Sequence, residues 1–294
     1  MNPHNKRMAL GGEMAWVLAL TVVVCATLAL PLARRGGRFR ALPGWVAFCI
    51  SFAVLLFALT RIPLTVGLSV LGLVMFGTLR EYFFVAPVRP RDRRAILVCY
   101  LTIPAVLVPV YFDSYGAFLA GVLLSLLLVQ PTALSLGTPA PGLLDALGRV
   151  LLGLLVFVFC AAHLGWMARW GSGRLELFGV LVLASELPQR LLGRLRAGEP
   201  KVGPLMGLLL SAALSCGLGA WLVPGLGIGA RDGIALGLLV MASVTAGRTV
   251  TEAVSQDLSL GPASAWVGRG ALLDRTMPAV YAAPLFFHYL NYLT

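Results

Sequence analysis

Charge is what this sequence has least of. Only 12% of its 294 residues are Asp, Glu, Lys or Arg, against 59% hydrophobic, and mean hydropathy is +0.90. A water-soluble domain needs far more polar surface than that. No stretch of ordinary polarity is long enough to close a core of its own, so a separate soluble domain is excluded. Carboxylates are scarcer still, twelve against 23 Lys and Arg, leaving a formal charge of +11. The five cysteines, Cys25, Cys49, Cys99, Cys160 and Cys216, fall in separate apolar segments, with no CxxC and no metal-ligand spacing. They read as small buried side chains. Also lacking are a sequence repeat, a low-complexity tract, a GxSxG turn and a Ser–His–Asp order.

What is present is apolar length. A bilayer core of ~30 Å needs about 20 apolar residues in a helix. Ten candidate spans follow, near 13–33, 44–60, 63–79, 95–111, 114–130, 147–168, 174–192, 204–224, 232–249 and 277–293. Two pairs, 44–60/63–79 and 95–111/114–130, are tight hairpins. The amino-terminal run is too long for a signal peptide and reads as a retained first span.

The basic residues sit in short loops. Arg34, Arg35, Arg38 and Arg40 form one group, Arg80, Arg89, Arg91, Arg93 and Arg94 a second, and Arg190, Arg194, Arg196 and Lys201 a third. With ten spans all three fall on one side, together with Arg248, Arg269 and Arg275. The positive-inside bias makes that side cytosolic. Lys6, Arg7 and Arg61 run against it. This distribution accounts for the net charge without nucleic-acid binding. Gly229, Gly233 and Gly237 recur every four residues, a spacing that lets helices approach closely in lipid. The "GLGIG" run lacks the Lys–Ser/Thr of a phosphate loop.

With twelve acids, the inventory can be exhausted residue by residue. Glu13, Asp92, Asp113, Glu176, Glu199 and Asp232 fall in loops or at span ends, where a solvated carboxylate is unremarkable. Glu81 adjoins Arg80, and Asp145 reads as loop. Glu186, Glu252, Asp257 and Asp274 remain, all near the cytosolic ends of the last four spans. An acid at membrane depth costs about 2.5–3.5 kcal/mol on insertion scales and therefore needs a partner or a watery cavity. Glu186 lies one turn before Arg190, so an intrahelical pair explains it. Asp274 is placed to cap the last helix, with Pro278 in its first turn. His163 stands alone in a span, and His288 lies in an aromatic belt. Neither has a ligand partner at metal spacing.

The stretch "VGRGALLDRTM" followed by "AAPLFFHYL" resembles the carboxy-terminal signature of the phosphatidate cytidylyltransferases, also called CDP-diacylglycerol synthases. In outline that signature is S-x-x-K-R-x-x-x-x-K-D, then P-G-H-G-G, two apolar residues and D-R-x-D. Gly268, Gly270, Asp274 and Arg275 match. "REYFFV", "AHLGWM" and "LPQRLLGRLRAGEPKVGP" have looser counterparts. Arg269 replaces the histidine, Ala271 a glycine and Met277 the second aspartate. Val254 and Ser255 stand for K-R, Leu260 and Gly261 for K-D, Gly247–Arg248 for a Gly-Asp pair, and Ser185–Glu186 for Asn-Asp. An S-P-x-K-T-x-E-G element is missing.

The resemblance implies an all-α polytopic bundle of about ten helices forming a single membrane domain over 1–294. Amino-terminal spans would occupy 1–94 and a cytidylyltransferase-like core 95–294, with the degenerate signature at 247–278. It implies a bacterial inner-membrane location with the working face cytosolic. The family joins CTP to phosphatidic acid, releasing pyrophosphate, with a divalent metal held by carboxylates. If this chain is active, Asp274 and Arg275 are the catalytic residues. Asp274 would then bind Mg²⁺ with Glu186, Glu252 or Asp257. The lost ligands favour the other reading. The chain is then catalytically impaired and binds phosphatidic acid or another anionic phospholipid, or serves as partner of another phospholipid enzyme. Arg269, Arg190, Arg194, Arg196 and Lys201 would attract the headgroup. A divergent active synthase is the alternative. A transporter has weaker support, for lack of an inverted repeat.

Overall fold

The computed structural model describes residues 3–34, 42–89, 92–136, 142–195, 202–259 and 271–293, with the backbone alone for 3–13, 172, 193–195 and 271. These residues form ten long helices and no strand. They are α1 (Pro3–Ala33), α2 (Leu42–Arg61), α3 (Leu64–Val85), α4 (Arg93–Tyr111) and α5 (Tyr115–Ser135). Then come α6 (Leu143–Arg169), α7 (Ser172–Leu195), α8 (Val202–Leu222), α9 (Ala230–Asp257) and α10 (Ala271–Leu293). All but α7 and α10 are long and apolar enough to cross a membrane, eight helices in all. The two exceptions carry polar groups along their length, Glu176, Glu186 and Arg190 on α7 and Asp274, Arg275, His288 and Asn291 on α10. Both tight hairpins are present. Pro63 separates α2 from α3, and Asp113, with φ of 59°, turns the chain between α4 and α5.

α7 is the axis of the bundle. Every residue from Leu175 to Pro188 is buried, although the helix is the least apolar of the ten in charge content. α1, α2, α8 and α9 pack along it, with α6 and α10 closing the remaining sides. In lipid there is no hydrophobic force between helices, so small residues and interhelical hydrogen bonds do the joining. Both are here. Ser185 and Ser215 share a hydrogen bond of 2.7 Å, Ser211 donates to the Ser185 carbonyl, and Gln189 donates to Ser211 and to Thr245. α8 and α9 meet backbone to backbone. A methyl on Gly219 would strike the Gly233 carbonyl, and one on Gly237 the Ser215 carbonyl. Gly229 differs from the other two of its spacing, since it is the extended residue ahead of α9.

The outer faces are apolar. Leu73, Phe84, Leu127 and Trp221 are each about 70% exposed or more, as a lipid-facing surface requires. α5 and α6 each contain one π-helical turn, at Ser125–Val129 and Leu155–Cys160. Such a turn inserts an extra residue and re-aims the side chains around it. In α6 those side chains include Phe157, beside the crevice described below.

Candidate functional site

The helices alternate, so the last turns of α1, α3, α5, α7 and α9 and the first turns of α2, α4, α6, α8 and α10 share one end. A buried polar cluster sits one or two turns inside that end. Its centre is Arg190, near the end of α7, whose side chain is 4% exposed. Nε of Arg190 donates to Glu186 Oε2 at 2.8 Å, one turn back on the same helix. Nη1 donates to Asp274 Oδ2 at 3.1 Å, and Nη2 to the Asp274 carbonyl at 3.0 Å. Trp45, from the first turn of α2, donates its indole N–H to Glu186 Oε2 at 2.7 Å. The Arg190 guanidinium lies 5.8 Å from the centre of the Trp45 ring. The Arg190–Glu186 pair thus ties α2, α7 and α10 together through charge-assisted hydrogen bonds, the stronger kind.

The sequence explains how Asp274 can offer two oxygens. Pro278 has no N–H, so the carbonyl four residues earlier, that of Asp274, loses its helical donor. Arg190 supplies the replacement. This corrects the capping role expected for Asp274, because the helix already includes Ala271 and Asp274 lies inside its first turn. The orphan N–H of Leu272 is satisfied instead by Glu81 Oε1 at 3.0 Å, from α3. Arg275, 6% exposed, lies within electrostatic reach of Asp274, Arg190 and Glu81. Arg248, on α9, pairs with Glu252 at 3.7 Å. It can approach because Gly247 packs directly on the backbone of Pro278, where a side chain would clash. Among the described residues, Glu186 Oε1 and Nη1 of Arg248 are buried without a hydrogen bond.

An apolar crevice of about 280 Å³ opens beside this cluster, between α2, α3, α6 and α10. Its wall begins at Phe48, one turn from Trp45, and at Leu272 and Thr276, which flank Asp274. It runs on to Leu55, Leu164 and Val280. Three hydroxyls line it, but Ser51, Thr78 and Thr276 each donate back to their own helix, so carbon faces the space.

The expected site residues therefore separate. Glu186, Arg190, Asp274 and Arg275 come together. Glu252 turns toward Arg248. Asp257 is exposed along a different groove, with Asp145 and Arg149. Arg196, Lys201, Arg269, Gly268 and Gly270 lie outside the described residues, and Arg194 is described by its backbone alone. Asp145 belongs to the first turn of α6, paired with Arg149, instead of a loop. Glu176 and Asp92, expected to be solvated, are both buried, at 0% and 2% exposure, Glu176 because it lies on the enclosed stretch of α7. Trp45 had no place in the sequence-based site. Its signal was a tryptophan at the basic end of a span, whose buried N–H needs an acceptor in a chain with few.

Mg²⁺ takes oxygen ligands at ~2.0–2.1 Å in near-octahedral geometry. Glu186 Oε2, Asp274 Oδ2 and the Asp274 carbonyl have the right chemistry. All three, however, already face the guanidinium of Arg190. As arranged, these residues do not fit a divalent ion. Among the described residues, no three His, Cys, Asp or Glu side chains form a group that could hold a metal.

The opposite end carries a second polar set. Glu176 lies 3.6 Å from Arg61, at ion-pair but not hydrogen-bond distance. Arg169 pairs with Asp113 at 3.2 Å. His288 hydrogen-bonds Tyr115 at 2.9 Å. His163 bonds the Phe159 carbonyl through Nδ1 and lies 5.6 Å from the His288 ring, among Phe118, Phe159 and Phe287.

The chain is similar to the Uncharacterized protein YnbB of Escherichia coli (strain K12), 25% identical over 279 residues that cover 88% of this chain and 89% of that protein. No protein-family model matches it. No solved structure matches it.

Proposed function

We propose that this chain is a phosphatidate cytidylyltransferase-like membrane protein that binds an anionic phospholipid, phosphatidic acid by preference, and does not carry out cytidylyl transfer. The observation that carries this reading is the apolar crevice that starts beside the Arg190–Asp274 cluster. One acyl chain would enter between α2, α3 and α10. Its phosphate would remain at the end where Arg275 and Arg248 lie. The carboxylates that a nucleotidyl transfer would need for a metal are engaged by Arg190, which supports binding over catalysis. The basic side of the bundle would face the cytosol, where it can receive a lipid made at the inner leaflet or present one to a partner phospholipid enzyme.

The test is lipid retention. The protein is purified in mild detergent, mixed with phosphatidic acid or phosphatidylcholine, and examined by native mass spectrometry. Retention of phosphatidic acid several-fold above phosphatidylcholine is expected, and equal retention sinks the reading. Gly77→Phe adds bulk at a crevice-lining position where a new Cβ meets nothing within 4 Å, and should reduce retention without unfolding the protein. In parallel, protein with CTP, phosphatidic acid and Mg²⁺ is assayed for pyrophosphate. Release that disappears in Asp274→Ala would establish the alternative, a divergent active synthase.

A further inference from the structure

We infer that Arg190 occupies a cation site built into the bundle, doing with a tethered guanidinium what a divalent ion would otherwise do between Glu186 and Asp274. This does not rest on the lipid-binding reading.

Three hard oxygens meet one guanidinium: Glu186 Oε2 from α7, and Oδ2 and the carbonyl oxygen from Asp274 of α10. A paired carboxylate needs no backbone carbonyl in attendance. Here Pro278 has freed one by removing its helical donor, which produces the mixed carboxylate–carbonyl set that hard cations favour. The site is also buried at its core, since Glu186 is 0% and Arg190 4% exposed. Two carboxylates so close, one of them in the interior, require a positive charge between them. Arg190 provides it from the next turn of the helix that carries Glu186, with the Trp45 ring beside the cation. The cation is therefore covalently attached and always present. The join between α7 and α10 should be indifferent to divalent ions in solution, and removing the guanidinium should leave a cradle that accepts one.

The experiment uses the full chain in phosphatidylcholine nanodiscs, with Mn²⁺ as the probe. Free Mn²⁺ is followed by electron paramagnetic resonance, and the thermal midpoint by intrinsic fluorescence. The native protein should leave Mn²⁺ free, and its midpoint should be unmoved by Mn²⁺ or EDTA. Arg190→Ala should have a lower midpoint and bind one Mn²⁺ per chain, and Asp274→Asn added to it should abolish that binding. Mn²⁺ at about a hundredfold excess over Kd should raise the Arg190→Ala midpoint by roughly 5 °C. Methylguanidinium, a free copy of the missing group, should raise it as well. Two results would overturn the inference. One is Mn²⁺ bound by the native chain and lost in Asp274→Asn. The other is an Arg190→Ala protein that responds to neither cation. If Arg190→Ala does not accumulate alone, Mn²⁺ or methylguanidinium in the growth medium should restore it, and failure of both counts against the site. Loss of phosphatidic acid retention in Gly77→Phe would leave all of these outcomes unchanged, so the two proposals fail separately.

Discussion

α7 carries two buried glutamates, one near each end, and the bundle treats them in opposite ways. Glu186 receives two short hydrogen bonds from buried donors, Trp45 at 2.7 Å and Arg190 at 2.8 Å. Glu176 is just as inaccessible, but Arg61, the cation paired with it among the described residues, stands 3.6 Å off with a side chain 40% exposed. The same residue type on the same helix is locked into a three-helix junction at one end and loosely attended at the other. Burial alone therefore does not fix how a carboxylate is held. What distinguishes Glu186 is that its neighbours spend their own hydrogen-bonding capacity on it, and that the junction borders the crevice.

That contrast can be broken or sharpened by substitution. Arg190→Ala should have the largest effect, because it leaves Glu186 buried and uncompensated. Breaking such a pair costs about 3–5 kcal/mol, measurable as a fall in thermal midpoint in detergent. Arg190→Lys should fall between, since one ammonium cannot reproduce the fork that spans Glu186 and both Asp274 oxygens. Trp45→Phe keeps the ring but removes the donor to Glu186. A loss of about 1.5–3 kcal/mol is expected for a hydrogen bond to a charged group, read the same way. Glu176→Gln should cost less than ~1 kcal/mol or stabilise the protein, since it removes a buried charge that has little to hold it. If Glu176→Gln proves as damaging as Trp45→Phe, the two ends are alike and the comparison fails.

Much of the architecture could be read from the chain because it depends on local quantities. Span length and the positions of Pro63 and Asp113 fix helices and hairpins without reference to distant residues. The Glu186–Arg190 pair was legible for the same reason, being one helical turn apart. The rest of the junction was not. Trp45 reaches Glu186 across 141 positions, and Glu81 reaches the start of α10 across 191. Nothing in local patterning announces contacts of that kind. Pro278 was misplaced because a proline suits a first helical turn equally well. Only its register against Asp274 reveals that it releases a carbonyl. Glu176 was misjudged because its position near a span end suggested water, whereas α7 is covered on every side.

That enclosure of α7 has a consequence for how the molecule is made. A helix bearing Glu176, Glu186 and Arg190 is a poor candidate to partition into lipid by itself, at a few kcal/mol for each charge. Its polar groups are matched by Trp45 and Arg61 from helices synthesised before it and by Asp274 from one synthesised after it. Biogenesis would then proceed by receiving α7 into a groove already formed by the earlier segments, and would be complete only when the last helix arrives to close the lock.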